Sequence, residues 1–344
     1  MKRFFEFPVV ALIALTSGCA GSTPAAPVSM VGAQSLGHLA RPLPLATGGS
    51  AVRVGLATPL ESRIVRRSRQ VLVAQSFAGT SATGWVTDQS CLTAGKSSKR
   101  KGSIPACGSK APRDAPGGGA LELTGPVDYT DGLAGYGTAL PTANGLEIVF
   151  DYYSFDGTGA DGSLVYLTDG SQSPPQKPGS NKNCGGCLGY VPISPRWPGL
   201  PDAYLGVGLD EYGDFGRLLP GGPGQIGQTI YLGGAQSIGY AYLGGVVNNS
   251  GQQVSLPFDL DEPQDQTRPT TPLTFYISIT AAGLVEVAID IHDGNGPVTY
   301  VSENIVGVAG QPAVPPTVYV GFIGSCGGYD DRHQLNNLEI ETLQ

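Results

Sequence analysis

The feature that most constrains the fold of this chain is a series of short apolar runs separated by turns rich in glycine and proline. No long segment shows a sustained helical period, and the runs have the length and bounding turns that are typical of strands. The 52 glycines and 28 prolines lie between these runs, which favours a turn-rich β protein over a disordered chain. Short strands in this number, without intervening helices, predict an antiparallel sandwich or barrel in a single domain. The nine predicted strands are Ala120–Thr124, Gly145–Tyr153, Ser163–Leu167, Tyr204–Leu209, Leu273–Ile279, Leu284–Ile291, Val298–Val301, Thr317–Phe322 and Leu335–Thr342.

The N-terminus has the pattern of an export signal. Lys2 and Arg3 supply positive charge, and the apolar stretch Val9–Leu15 is too short to span a bilayer as a mature helix. The residues that end at Cys19 resemble a bacterial lipoprotein cleavage box, in which small residues precede a cysteine that becomes diacylated. The sequence therefore predicts a signal peptide over residues 1–18 and lipidation of Cys19, with ordinary secretion as the alternative.

We therefore expect the protein to be exported and lipid-anchored in the bacterial envelope. Ala20 follows the cysteine, where an Asp would indicate retention in the inner membrane, so the outer membrane or the cell surface is favoured. Contact with the membrane is expected through the lipid alone. The net charge of −8 argues against nucleic acid as a partner.

A flexible tether is predicted between the anchor and the folded part. Residues 19–70 are rich in Ala, Pro, Ser and Gly and show no clear alternation. The folded domain is predicted over residues 71–344.

Two cysteines near the start of this domain flank a polar, basic loop. Because an exported chain folds in an oxidising compartment, a disulfide between Cys91 and Cys107 is the default expectation. Closing a loop of that size stabilises a fold by about 3 kcal/mol.

A glycine-containing strand that ends in acidic residues is the strongest candidate for a site. In the stretch from Tyr204 to Gly216, Val207 and Leu209 alternate with glycines, which indicates a strand packed close to other backbone. The run then breaks into an acidic and aromatic cluster of Asp210, Glu211, Tyr212 and Asp214. Oxygen ligands and a ring at a strand end suit a cation, a sugar or both. An acidic turn exposed to water is the alternative.

Four segments, in this order, resemble segments of the legume-type (L-type) lectins and their bacterial relatives. They are Gly159–Gly162, Gly185–Gly189, Leu205–Asp214, and the final group of Val320–Phe322, Gly327–Gly328 and His333. The match covers Val71 to Gln344 and rests on the order and spacing of the motifs. The resemblance implies an all-β, concanavalin-like jelly-roll sandwich of two antiparallel sheets with sugar-binding loops at one end.

The resemblance also implies a glycan or polysaccharide as the partner. Asp161 would accept two hydroxyl hydrogens in charge-assisted bonds, and Gly186 would donate its backbone N–H because no side chain blocks the approach. Tyr212 would lie against the C–H face of the sugar. Asp214 would accept a further hydroxyl, although the family usually has Asn there. The six implied sugar contacts are Asp161, Gly186, Tyr212, Asp214, Gly328 and Tyr329.

The metal ligands of the family are only partly present. The family has an acid where this chain has Gly208, and an Asp and a His shortly after the strand, yet no Asp, Glu or His occurs from Leu218 to Ser255. A transition-metal site of the family type is therefore expected to be absent. Calcium stays open, because Asp210, Asp214 and the carbonyl of Tyr212 could supply hard oxygens.

The resemblance further implies a cis peptide bond between Ala160 and Asp161, which the metals help to hold in the family. Cys187 and Cys326 fall in two loops that the family places beside the sugar, so a bridge between them would fasten the site without metal. A Cys184–Cys187 bridge is the rival, and the sequence leaves both open.

The combined expectation is a lectin-like lipoprotein that binds carbohydrate without catalysis. A glycosidase on the same sandwich is less expected, because retaining enzymes need two carboxylates about 5 Å apart. No Glu-x-Asp-x-x-Glu pattern occurs, and Asp210 and Glu211 point to opposite faces if the strand continues. A structural or protein-binding sandwich with a decayed sugar site is the other alternative, because metal ligands are missing.

Overall fold

A computed structural model describes residues 69–96, 103–108, 113–179 and 184–344 of the chain. The chain divides into Met1–Ser62 and Arg63–Gln344, and all the described residues belong to the second unit. The predicted signal peptide, Cys19 and nearly all of the predicted tether lie outside the described residues. Among the residues described, no helix is long and apolar enough to cross a membrane.

The described part of the chain is built almost entirely of strands. One short helix, α1 (Asp214–Leu218), and three 3-10 turns (Gly185–Cys187, Gln236–Ile238 and Val308–Gly310) interrupt them. The strands are β1 (Val71–Gln75), β2 (Trp85–Asp88), β3 (Cys91–Leu92), β4 (Leu121–Thr124), β5 (Thr130–Tyr136), β6 (Leu140–Pro141), β7 (Leu146–Phe155), β8 (Gly162–Asp169), β9 (Ala203–Asp210), β10 (Thr229–Gly233), β11 (Tyr242–Gly245), β12 (Leu273–Ile279), β13 (Leu284–Asp290), β14 (Val298–Asn304), β15 (Thr317–Cys326) and β16 (Arg332–Thr342).

The strands form two antiparallel sheets. The back sheet has the order β14-β13-β12-β7-β16-β4-β3, with β1 also pairing with β16. The front sheet has the order β11-β10-β9-β8-β15-β5-β2, with β6 also pairing with β15. Each sheet also joins strands that are distant in sequence, since β7 pairs with both β12 and β16 and β8 pairs with β15. This arrangement confirms the predicted all-β jelly-roll sandwich of antiparallel sheets.

The main core lies between the sheets, where alternate residues of each strand point inward. In β13 every second residue is buried and the residues between are half-exposed, which is the pattern of a strand with one face on a core. Three rings from both sheets meet there: Phe150 stacks on Phe275 at 5.4 Å and contacts the edge of Phe322 at 5.2 Å. Burying a side chain of this kind stabilises the fold by about 1.5–3 kcal/mol.

The front sheet is covered on its outer face as well, so β9 is buried along all eight residues. A second apolar cluster, which includes Tyr190, Phe215 and Tyr231, lies on that face. Gly208 of β9 leaves room for it, because a Cβ there would lie 2.5 Å from the Phe215 ring. The glycines of this strand therefore admit aromatic rings from the covering segment rather than close backbone.

The start of the folded part includes two residues that the sequence assigns to the tether. The Gln70 N–H donates to the Thr342 hydroxyl oxygen and the Gln70 carbonyl accepts from the Thr342 N–H, while Arg69 forms ion pairs with Glu147 and Glu341 of the back sheet. The predicted Cys91–Cys107 disulfide is present, with a Cα–Cα distance of 4.8 Å.

Candidate functional site

Three strand ends of the front sheet meet at one edge and bring the predicted site segments together. Gly162 at the start of β8 pairs with Asp210 at the end of β9 and with Ser325 near the end of β15. The residues that continue these strands, Asp161, Glu211 and Gly327, therefore share one edge. The 3-10 turn Gly185–Cys187 contacts the same place, since both Gly185 and Gly327 pack against the Asp161 carboxyl group.

Asp161 is fixed at the centre of this edge by its backbone. The peptide bond between Ala160 and Asp161 is cis, as the resemblance implied. The Asp161 N–H donates to the Ser325 carbonyl at 3.1 Å, and the Asp161 carbonyl accepts from the N–H of Glu211 at 3.1 Å. The side chain lies against Gly185, where any Cβ would collide with the carboxylate. The absence of a side chain at Gly185 thus allows the 3-10 turn to approach the Asp161 carboxylate.

The carboxyl group of Asp161 is almost removed from solvent, with the residue 6% exposed. Burial raises its pKa to about 7, although the Gly327 N–H opposes this rise and Asp214 adds to it. Its Oδ2 atom has no hydrogen-bond partner among the described residues. Buried acceptors are normally satisfied, so this oxygen retains the capacity to accept a donor.

Gly186 and Asp214 lie next to each other beside Asp161. A Cβ on Gly186 would collide with the Asp214 side chain, so the absence of a side chain permits this contact. Asp214 is the first residue of α1 rather than part of a loop. Its Oδ2 accepts from Arg217 at 2.7 Å, and its Oδ1 has no partner among the described residues.

Tyr212 and Tyr329 form an aromatic wall at the rim. Their rings stack with centroids 5.6 Å apart and an interplanar angle of 28°. They are 39% and 52% exposed, respectively, so each ring keeps area that faces solvent. Gly328, which precedes Tyr329, is also exposed. All six residues named from the sequence therefore lie on loops or element ends around one edge of the front sheet.

The residues present do not fit the metals that the resemblance implies. The Asp210 carboxylate accepts three backbone N–H groups, from Gly213 at 2.8 Å, Phe215 at 3.0 Å and Gly216 at 3.3 Å. It fixes the start of α1, and its oxygens are engaged there. Phe215 and Leu188 fill the space beside Gly208, where the family has an acid.

Both acids named as calcium ligands make contacts within the protein, Asp210 with backbone N–H groups and the Oδ2 atom of Asp214 with Arg217. In the part of the chain that the structure describes, ligand atoms converge in two groups of three, and neither includes Asp210 or Asp214. In one, Cys91 and Cys107 are already bridged. The other is Glu211, Asp331 and His333, which lie behind Asp161.

The latter three residues belong to a buried polar cluster between the sheets that the sequence did not reveal. Glu211 accepts from the Tyr152 hydroxyl at 2.8 Å and pairs with His333 Nε2 at 3.1 Å. His333 Nδ1 lies 2.6 Å from Thr124 Oγ1. Burial disfavours a charge on His333, yet Glu211 and Cys326 raise its pKa well above the ordinary value. The cluster ties the end of β9 to the back sheet.

This cluster does not form a glycosidase site. The side chains of Glu211 and His333 are 0% exposed, and Asp331 is fully buried too. Burial, together with Glu211, raises the pKa of Asp331 to about 7. A sugar cannot reach carboxylates in this position, so their proximity does not provide the catalytic pair of a retaining enzyme. Asp210 and Glu211 do point to opposite sides of the strand end, as expected.

Of the two bridges that the sequence left open, Cys184–Cys187 is present and Cys187–Cys326 is not. Cys187 pairs with Cys184, whose Cα lies 5.3 Å away because the 3-10 turn brings the two ends of this short segment together. Cys326 is a free thiol, buried 3.4 Å from the Asp331 carbonyl and 4.0 Å from His333 Nδ1. The loop Gly185–Cys187 is therefore closed within itself rather than fastened to β15.

A cavity of about 620 Å³ lies away from this edge. It is formed by residues 173–179, 196–199, 201–202 and 236, and includes Trp197. One of its residues, Asp202, precedes β9 and lies at the opposite end of β8 and β9 from Asp161. This cavity is therefore separate from the candidate site.

No protein-family model and no curated protein matches the sequence. Among solved structures, the chain is similar to the VIP36 exoplasmic/lumenal domain in its Ca2+/Man3GlcNAc-bound form, with 12% identity over 79% of this chain and 91% of that one, and a TM-score of 0.47. It is similar to lectin II from Ulex europaeus, with 14% identity, 80% and 100% coverage and a TM-score of 0.45. Metal-free lectin I-B4 from Griffonia simplicifolia gives 14% identity, 78% and 98% coverage and a TM-score of 0.44. At these values no functional inference rests on the likeness.

Proposed function

We propose that this chain is a lectin-like protein that binds neutral carbohydrate without catalysis, exported and lipid-anchored in a bacterial envelope. The observation that carries the proposal is the convergence of the nearly buried Asp161 carboxyl group with the stacked rings of Tyr212 and Tyr329. A sugar offers hydroxyl donors on one side and C–H groups on another, and this pair of surfaces is complementary to both.

The polar part of the site consists of carboxyl oxygens that receive no hydrogen bond from the described residues. Asp161 and Asp214 each keep one buried oxygen without a hydrogen bond from the described residues. Leaving such a group unsatisfied costs about 1–3 kcal/mol, which a donor from a ligand would offset. Arg217 pairs with Asp214, so it does not neutralise Asp161. Two carboxyl groups side by side disfavour anionic sugars and favour neutral ones.

Affinity for sugar should fall as the pH drops through about 7, because the Asp161 carboxyl group has a pKa of about 7 and binds as its ionised form. Titrations of a neutral glycan at about pH 8.5 and about pH 5.5 should show an affinity at least several-fold higher at the upper value. Asp161→Asn should remove this dependence. An affinity that is equal at both values in the parent would contradict the assignment of Asp161.

The titration of Asp161 does not itself destabilise the fold at the lower pH. The folded-state pKa of Asp161 lies above the ordinary value of 3.8, so proton binding favours the folded state. This contribution is present in full below about pH 3.8 and is lost as the pH rises through about 7. Asp161 therefore makes the fold more stable at pH 5.5 than at pH 8.5, in the opposite direction to binding.

The envelope location is supported by the small residues before Cys19 and the short apolar stretch ahead of them. Mass spectrometry of the mature protein from a bacterial membrane fraction should find a diacylglyceryl group on an N-terminal Cys19. Cys19→Ser should abolish this modification. A free N-terminus at any other residue would contradict the proposal, and ordinary secretion would then be the better account.

A further inference from the structure

The exposed tyrosines of this chain are confined to one place. All fifteen tyrosines fall within the described residues, and three of them are exposed: Tyr129 at 46%, Tyr212 at 39% and Tyr329 at 52%. The last two form the aromatic wall of the candidate sugar site. Tyr129 comes from a different part of the chain, the turn between β4 and β5, and no sequence motif pointed to it. Exposed aromatic rings grouped at one rim indicate a binding surface.

Tyr129 is held against the loop that carries Tyr329. Its backbone N–H donates to the Gly327 carbonyl at 2.8 Å. Its backbone has a φ of +57°, in the left-handed region that a bulky residue seldom adopts. The surrounding turn therefore fixes this ring beside Gly327 and Gly328 although solvent covers nearly half of it.

Gly328 precedes Tyr329 and lies beside Tyr129. A Cβ at Gly328 would lie 3.4 Å from the Tyr129 hydroxyl oxygen, in van der Waals contact with it. The absence of a side chain at Gly328 therefore leaves the space next to the Tyr129 hydroxyl group open. One sugar at Asp161 can use the wall formed by Tyr212 and Tyr329. The ring of Tyr129, on the other side of Gly328, is left for a neighbouring sugar.

The charges around this second ring also restrict the ligand. Asp128 precedes Tyr129 and is exposed, and Asp330 follows Tyr329. Burial and the nearby Asp128 raise the pKa of Asp330. The closest arginine in sequence, Arg332, is engaged by Glu122 and Asp156. Because the described arginine nearest to them in sequence is already engaged, these carboxyl groups repel uronic acids and sulfated sugars.

We infer that the site takes an oligosaccharide of neutral sugars rather than a single residue, with one sugar at Asp161 and the next against the ring of Tyr129 across Gly328. This inference rests on the proposed function, because it extends the same site. The ring of Tyr129 contributes by packing on C–H groups, so it adds affinity for longer chains without altering the contacts of the first sugar.

The test is to titrate mannose, glucose and galactose, and the homo-disaccharides and homo-trisaccharides of each, into the parent, Tyr129→Ala and Tyr129→Phe. The best trisaccharide should bind the parent about tenfold more tightly than its monosaccharide. Tyr129→Ala should lose this gain and keep the monosaccharide affinity, and Tyr129→Phe should keep both. Tyr276→Ala, which removes a tyrosine from the back sheet, should behave as the parent.

Equal trisaccharide affinities in the parent and Tyr129→Ala would overturn the inference, as would tighter binding of a trigalacturonate than of any neutral trisaccharide. Asp161→Asn separates this failure from failure of the proposed function. If Asp161→Asn loses both monosaccharide and trisaccharide binding while Tyr129→Ala loses neither, the site stands and its extension does not. If Asp161→Asn retains both, the sugar site itself is misplaced. Thermal unfolding of each variant ensures that only folded proteins are compared.

Discussion

Glu211→Ala should lower the free energy of unfolding by about 3–5 kcal/mol, the usual cost of breaking a buried ion pair by removing one partner. The Glu211 side chain is fully buried and accepts from Tyr152 while pairing with His333. Its removal leaves a buried imidazole, whose pKa Glu211 raises in the parent, and a phenol hydroxyl without their shared acceptor, in the space between the sheets. Urea unfolding followed by tryptophan fluorescence and by circular dichroism measures the change.

Glu339→Ala is the matched control, because Glu339 is exposed on β16, the same strand that carries His333. This variant should change the stability by less than about 0.5 kcal/mol. A double-mutant cycle with His333→Ala should show strong coupling to Glu211. If Glu211→Ala and Glu339→Ala cost the same, the buried cluster does not support the edge of the sandwich.

Asp161→Asn should weaken sugar binding about fivefold to several hundredfold while the protein stays folded. The change keeps the size of the side chain but removes its charge, so each hydroxyl bond falls from the charge-assisted class of about 1.5–3 kcal/mol toward about 1 kcal/mol. With two such bonds the loss is on the order of 1–4 kcal/mol. Titration at about pH 8.5, where the parent carboxyl group is ionised, gives the full effect.

Asp169→Asn provides the control for charge and fold, since Asp169 lies at the other end of β8. It should bind sugar as the parent does. The alternative role for Asp161 is a turn residue that caps its own backbone, as Asp before Gly often does. That role predicts a lower melting temperature for Asp161→Asn with no specific loss of affinity.

The strands that the sequence predicted well are those with one face on the core. The bounds of β12 match the prediction, and those of β13 differ from it by one residue, because apolar and polar residues alternate clearly there. Missed strands such as β5 and β10 lie in the front sheet, which is covered on both faces. Their glycines and continuous burial remove the alternation on which recognition of a strand depends. Seven strands were overlooked in all: β2, β5, β6, β10 and β11 of the front sheet, and the short strands β1 and β3 of the back sheet.

The segments that meet at the site could be predicted from the sequence, because their motifs occur in the same order and spacing as in the family that they resemble. What could not be predicted depends on contacts between distant residues. Glu211 and His333 are 122 positions apart, so no spacing reveals their pairing. Helix α1 has only five residues and contains Gly216, so its sequence does not suggest a helix until the Asp210 carboxylate is seen accepting its first N–H groups. Tyr129 likewise joins the site only through folding.

The central claim is that this rim binds neutral carbohydrate without a metal, because Asp210 is engaged by backbone N–H groups and Phe215 occupies the space beside Gly208. A glycan array probed with the parent and with Asp161→Asn, at about pH 8.5 and in the presence of EDTA, tests it most directly. We expect the parent to bind a set of neutral oligosaccharides and Asp161→Asn to lose them. No neutral glycan bound above the level of Asp161→Asn, or binding that appears only when calcium replaces EDTA, would contradict the claim.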